Sequence, residues 1–205
     1  MNLNYCLQHS KSQALQDVFA LHVNGFSSSG YFVDLGCSHP FIGNNTALLE
    51  EMGWKGFMAD YFADSVVKCN ELRKYPAVLV DLSKKNVTEL LDAFNAPPII
   101  DYVSLDLDYG SAWECIKRWD FSKYKIKAIT FEHDYYDGQS GVNLRRDSRE
   151  FLKQNGMLMV CSDVTISNGK SFEDWHVNPD LVPKENYESI MAANREYSDI
   201  FKKSC

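Results

Sequence analysis

Apolar residues in this chain fall into short continuous runs, separated by stretches in which they recur every three or four positions. The runs Tyr31–Leu35, Gly56–Asp60, Ala77–Val80, Tyr102–Leu107, Ala128–Glu132 and Met157–Val164 are rich in Val, Ile, Leu, Phe and Tyr, the pattern of strands buried on both faces. Between them, Phe62, Val66, Cys69 and Leu72 share a helical face, as do Val87, Leu90, Leu91 and Phe94, and again Ala112, Cys115, Ile116 and Trp119. A further helix is expected from about Leu144 to Gln154, with Gly156 near its stop. This alternation predicts one α/β domain over residues 1–205, a Rossmann-like, mostly parallel sheet with right-handed crossovers and helices on both faces. Residues 1–25 read as an N-terminal helical segment. Residues 165–183 read as an irregular stretch, followed by a last helix near Lys184–Lys202.

In such sheets ligands bind beyond the carboxyl ends of the strands. Those ends carry Asp34 and Gly36, Asp60, Asp81, Asp106 and Asp108, and Glu132 with His133. A buried strand ending in Asp-x-Gly, then a helix, then a strand ending in an acid is a nucleoside-binding arrangement. The glycine lets the backbone come close, and the second acid accepts hydrogen bonds from ribose hydroxyls. The turn Asp34-Leu-Gly-Cys-Ser-His-Pro-Phe-Ile-Gly43 lacks the closely spaced glycines that seat a pyrophosphate. That departure favours S-adenosylmethionine, which has no phosphates, over NAD. Cofactor contacts are expected from Asp34, Gly36 and Cys37 in the first turn, Asp60 at the ribose, and Tyr61 as an adenosine wall. Asp81 is expected either at the adenine amino group or as a helix cap, and Asp106 lies at the next strand end. Asn44 or Asn45 is expected to cap the helix after the first turn.

Period-two alternation puts Asp106 and Asp108 on one side of an extended strand. Two carboxylates there could hold a divalent cation, orient a reacting hydroxyl, or cap the helix that begins near Ser111. Asp106, Glu132 and His133 are the candidate catalytic groups, His133 because its ordinary pKa of ~6.5 suits proton abstraction. Glu132 and His133 would point to opposite faces, so only one of them is expected to line a pocket. Residues 137–142 read as a flexible loop able to close over a substrate. Arg145, Arg146 and Arg149 read either as an anion site or as a solvated helix face. Phe172, Trp175 and His176 read either as an aromatic pocket edge or as the packing of a late strand.

Composition narrows the function classes. A net charge of −7 over 205 residues argues against duplex nucleic acid as the main partner. The first residues lack the basic start and apolar core of a signal peptide, and no apolar run approaches the ~20 residues that span a bilayer. The six cysteines are scattered without a Cys-x-x-Cys pair, which reads as reduced core thiols in a cytoplasmic protein and not as a zinc site.

Taken together, Ser12-Gln-Ala-Leu-Gln-Asp17, Gly30-Tyr-Phe-Val-Asp-Leu-Gly36, Asn45-Thr-Ala-Leu-Leu-Glu50, Gly53-Trp-Lys-Gly56 and Ser104-Leu-Asp-Leu-Asp108 resemble the FkbM-like methyltransferases. Phe121–Glu132 fits the same pattern, and the resemblance spans roughly residues 12–160. It implies a class I methyltransferase fold with a seven-stranded sheet and one antiparallel strand near the edge. It also implies S-adenosylmethionine held at Asp34, Gly36 and Asp60, with Asp106 at the family's fourth-strand acid. The activity implied is O-methylation of a hydroxyl on a sugar or other small molecule. The alternatives are an NAD-linked oxidoreductase and a non-catalytic binding module that keeps the fold.

Overall fold

A computed structural model describes residues 2–136, 138–166 and 169–203. Two short helices come first, α1 (Leu3–His9) and α2 (Gln16–Val23), in the segment expected to be helical. The apolar runs then alternate with helices: β1 (Tyr31–Leu35), α3 (Ala47–Glu51), β2 (Lys55–Asp60), α4 (Ala63–Leu72), β3 (Ala77–Leu79) and α5 (Val87–Ala93). There follow β4 (Ile99–Ile100), β5 (Tyr102–Leu105), α6 (Tyr109–Lys117), β6 (Lys125–Ile126), β7 (Ala128–Glu132) and α7 (Gly138–Gln154). The chain closes with β8 (Leu158–Thr165), β9 (Ser171–Val177), β10 (Ala192–Ala193) and α8 (Tyr197–Ile200).

Eight strands form one sheet in the order β10-β8-β9-β7-β5-β1-β2-β3, while β4 and β6 pair separately. All neighbours in the large sheet are parallel except β9, which runs antiparallel to both β7 and β8. The sheet therefore has one strand more than expected, the two-residue β10 added at the β8 edge. Apolar runs are continuous because both faces are covered. Phe32, Met58 and Tyr102 pack on the side of α2 and α3, whereas Val33, Leu35, Phe57, Val103 and Phe131 pack on the other side with residues of α5, α6 and α7. Among the described residues, no helix is long and apolar enough to cross a membrane.

Three readings need correction. The stretch taken as irregular contains β9, a strand inside the sheet, with Trp175 fully buried and stacked on Phe19 at 4.8 Å. Phe172, Trp175 and His176 are therefore core side chains. The expected last helix is replaced by two 3-10 turns (Lys184–Asn186 and Glu188–Ile190), β10 and the single turn of α8. The loop placed at 137–142 is helical from Gly138 onward, and Asp137 lies outside the described residues.

β9 also carries Glu173 into the interior, 2% exposed, where it accepts a hydrogen bond from Trp175 Nε1 at 2.7 Å. Burial pushes its carboxyl up to about 8. A raised carboxyl value means that the folded state holds the proton more tightly than the unfolded chain. Its contribution is complete at acid pH and lost as pH rises through the folded value, by roughly 1.4 kcal/mol per unit across the window. Glu173→Gln keeps the acceptor and removes the titration. We expect the urea-denaturation midpoint of the variant to gain on that of the wild-type protein as pH rises from about 4.5 to about 8. Parallel pH profiles for the two proteins would contradict this.

Candidate functional site

The turn after β1 is built by two backbone hydrogen bonds and a left-handed glycine. Gly36 N donates to Ala59 O at 2.8 Å, Asp106 N donates to Leu35 O at 2.9 Å, and Gly36 adopts φ +96. A Cβ on Gly36 would lie 1.8 Å from the Asp106 carbonyl oxygen, so only glycine lets the ends of β1 and β5 come this close. Asp60, at the end of β2, locks the turn from the other side. Its Oδ2 accepts from Ser38 N and its Oδ1 from Phe62 N, both at 2.8 Å.

These anchors leave a cleft of about 590 Å³ along the carboxyl ends of β1, β2, β3 and β5. Its acids are Asp60, Asp81, Asp106 and Asp108, and no Lys or Arg lines it among the described residues. Tyr61 and Phe62 stand on its rim, 65% and 68% exposed. Asp81 accepts from Ser83 N at 3.1 Å and pairs with Lys84 at 2.7 Å, so it shapes the following turn while facing the cleft. Asp108 does cap α6, accepting from Ser111 N and Oγ, and its residue also borders the cleft. Five of the residues expected at a cofactor, Gly36, Asp60, Tyr61, Asp81 and Asp106, are thus brought together on one cleft.

Asp34 and Cys37 are not among them. Asp34 is 2% exposed beneath the turn, accepting from Thr46 Oγ1 at 2.6 Å in a group completed by Asn44 and Arg73. Burial pushes it up to about 6. Cys37 is buried against Cys69, the two sulfurs 3.8 Å apart. Asp34 points away from the face of Val33 because side chains alternate along β1, whereas Cys37 lies beyond the strand end and is held beneath the turn by its packing against Cys69. Neither Asn44 nor Asn45 caps α3. Thr46 is its N-cap residue, Asn44 Oδ1 accepts from Thr46 N, and Asn45 reaches Ser104.

Of the three candidate catalytic groups only Asp106 lines the cleft; neither Glu132 nor His133 does, although one of the two was expected there. Glu132 hydrogen-bonds Asp106; burial first, then that bond, raises Glu132 strongly, and burial raises Asp106 too. Glu132 therefore holds the shared proton and Asp106 is its acceptor. His133 turns away from the cleft and is fully buried. Its Nδ1 accepts from Tyr135 N at 3.2 Å, and its Nε2 faces Asp174 Oδ1 at 3.5 Å and Asp163 Oδ1 at 4.0 Å. A group so enclosed cannot touch a substrate in the cleft, which corrects its reading as a base.

His133, Asp163 and Asp174 are spaced closely enough to hold an ion. Their oxygens, however, are already filled. Arg145 forks onto Asp163 at 2.6 Å through Nε and Nη2, and Arg149 forks onto Asp174 at 2.6 and 2.7 Å. Burial alone would raise Asp174, but the Arg149 hydrogen bond and then His133 hold it well below the usual carboxylate range. Two of the three arginines thus serve a buried ion-pair network. Arg146 alone stays on the surface, paired with Asp147. No short-range sequence signal links Arg149 to residues 25 positions away, and this network went unread.

Among solved structures, the chain is similar to a provisionally assigned O-methyltransferase from Klebsiella pneumoniae, with 12% identity, coverage of 86% of this chain and 89% of that one, and a TM-score of 0.57. It is also similar to TrmK from M. capricolum, solved with S-adenosyl-homocysteine, at 14% identity, 80% and 68% coverage and a TM-score of 0.51. A third is an O-methyltransferase from Bacillus cereus, also holding S-adenosyl-homocysteine, at 11% identity, 85% and 88% coverage and a TM-score of 0.50. At such identities the likeness establishes the fold, the Rossmann-like fold of class I methyltransferases. No protein-family model matches the chain, and no curated protein matches it in sequence.

Proposed function

We propose that this chain is an S-adenosylmethionine-dependent O-methyltransferase of FkbM-like type, acting on a hydroxyl of a sugar or other small molecule. The observation that carries this reading is the charge of the cleft, four carboxylates around an aromatic rim, of which only Asp81 pairs with a Lys or Arg among the described residues, Lys84 beside the lining. Such a lining attracts a ligand bearing sulfonium and ammonium charges and repels a pyrophosphate, so it disfavours NAD as the missing glycines do. The cleft volume also falls in the range of small-molecule sites.

In this reading Asp60 accepts from the ribose hydroxyls through lone pairs left by its two backbone donors, and Tyr61 and Phe62 flank the adenine. The bound cofactor supplies an electrophilic methyl group. Asp106 borders the cleft, and its partner Glu132 keeps the shared proton, so Asp106 is the group able to accept a proton from an acceptor hydroxyl. Glu132 acts through Asp106 and is a positioning residue. A cation-assisted route is weakly supported, since Asp108 is committed to its cap and Glu132 is protonated. The acidic net charge favours a small-molecule acceptor over RNA.

Calorimetric titration with S-adenosylmethionine tests this directly. The wild-type chain should bind it, and Asp60→Ala should bind at least ~10-fold more weakly, a loss of about 1.4 kcal/mol or more. Absence of both heat and thermal shift at millimolar cofactor would end the assignment and leave the non-catalytic module. In an active assay, Asp106→Asn should lower kcat by roughly 10²–10⁴-fold with little change in cofactor affinity.

A further inference from the structure

A second cleft, about 780 Å³, lies between α7 and β8 and shares no lining residue with the first. Arg145, Arg149 and Lys153 follow one another at four-residue intervals along its α7 wall, joined by Arg146. Its floor is apolar, Met157 and Met159, except for one group. His176 is 2% exposed, and both of its ring nitrogens lack a hydrogen-bond partner among the described residues. Burial holds it neutral, down to about 4, so one nitrogen donates and the other accepts. A buried imidazole with neither bond made costs free energy unless something else satisfies it.

We propose that this cleft binds an organic oxyanion, a carboxylate or phosphate group carried on an apolar body. The His176 N–H and the arginines would take the oxygens, and the methionine floor would take the body. The arginines suit the task because they are already oriented. Each fork onto Asp163 or Asp174 spends the Nε–Nη2 edge and turns the planar Nη1 end away from the carboxylate. The ordering entropy of these side chains is thus met on folding and not on binding. Asp163 and Asp174 offset the charges of Arg145 and Arg149, and Asp147 offsets that of Arg146. Lys153 stands on the lining beside Glu150, which accepts from Gln154 at 2.8 Å. Recognition therefore depends on directed hydrogen bonds more than on net field. The inference is independent of the methyltransferase reading, since it concerns a different cleft.

The test follows the His176 ring nitrogens by ¹⁵N NMR while the full chain is titrated with phenyl phosphate, benzoate or inorganic phosphate. Saturable shifts at His176 with phenyl phosphate or benzoate are expected, and the tighter of the two identifies the oxyanion. Inorganic phosphate, lacking the body, should bind at least ~10-fold more weakly. Arg146→Glu combined with Lys153→Glu, both on the surface of α7, should weaken binding by a similar factor while the protein still unfolds cooperatively. His176→Phe, read by calorimetric titration with the same ligands because it removes the NMR reporter, should abolish binding. An unmoved His176 signal at millimolar ligand, or equal affinity in the doubly substituted chain, overturns the proposal.

Discussion

Gly36→Ala is expected to destabilise the protein by about 3 kcal/mol or more and to remove cofactor binding with it. Two costs act at once. The residue sits at φ +96, which an L side chain rarely adopts, and the added methyl would meet the Asp106 carbonyl oxygen at 1.8 Å. That oxygen belongs to backbone anchored to β1, because Asp106 N donates to Leu35 O, so relief requires the ends of β1 and β5 to part. Parting them displaces Asp106 from the cleft and breaks the Ala59 anchor that keeps the turn beside Asp60. Chemical denaturation reads the stability loss, and titration of the folded fraction reads the binding loss. A variant with wild-type stability and wild-type affinity would show that the turn is not the constraint described above.

The second large effect concerns the buried ion pairs. Arg149→Met should cost about 3–5 kcal/mol at neutral pH, because it strands Asp174, whose side chain is only 1% exposed, and takes one of two guanidinium partners from Asp163, which keeps the Arg145 fork. The sign of its pH dependence follows from Asp174. Its folded value lies below the usual carboxylate range, so its pairing stabilises the protein above the unfolded carboxyl value and is lost as pH falls through the folded one. In the variant the same carboxyl is buried without its guanidinium and takes a proton readily. The stability gap between the two proteins should therefore narrow as pH drops below about 4. Thermal or urea unfolding across that range checks it, and a gap independent of pH would contradict the assignment of the cost to stranded charge.

The two positions differ in how far the sequence exposed them. Gly36 announced itself through the Asp-x-Gly ending of an apolar run, and Asp60 through the next run's terminal acid. Both were legible because strand ends in a parallel sheet converge wherever the strands do. Asp34 looked like their companion in sequence but is turned under the chain, and Cys37 with it. β9 was hidden for another reason. Phe172-Glu-Asp-Trp-His reads as polar and irregular, yet Glu173, Asp174 and His176 are all buried there. One signal was available, the aromatic residues Phe172 and Trp175 beside Val177, but it was outweighed by the charges. Arg149, 25 positions from Asp174, is what makes that strand affordable in the interior.

The sequence by itself determined the strand and helix alternation as far as β8, the parallel core of the sheet and the acidic character of its carboxyl edge. Those depend on periodicity and on turn chemistry, which act over a few residues. Only the tertiary structure decided which acids face the cleft, that His133 is walled off from it, and that α7 shares a second cleft with the sheet. Desolvation and ion pairing depend on neighbours brought together from distant positions, and no local pattern of residues encodes which carboxylate will meet a guanidinium and which will meet water.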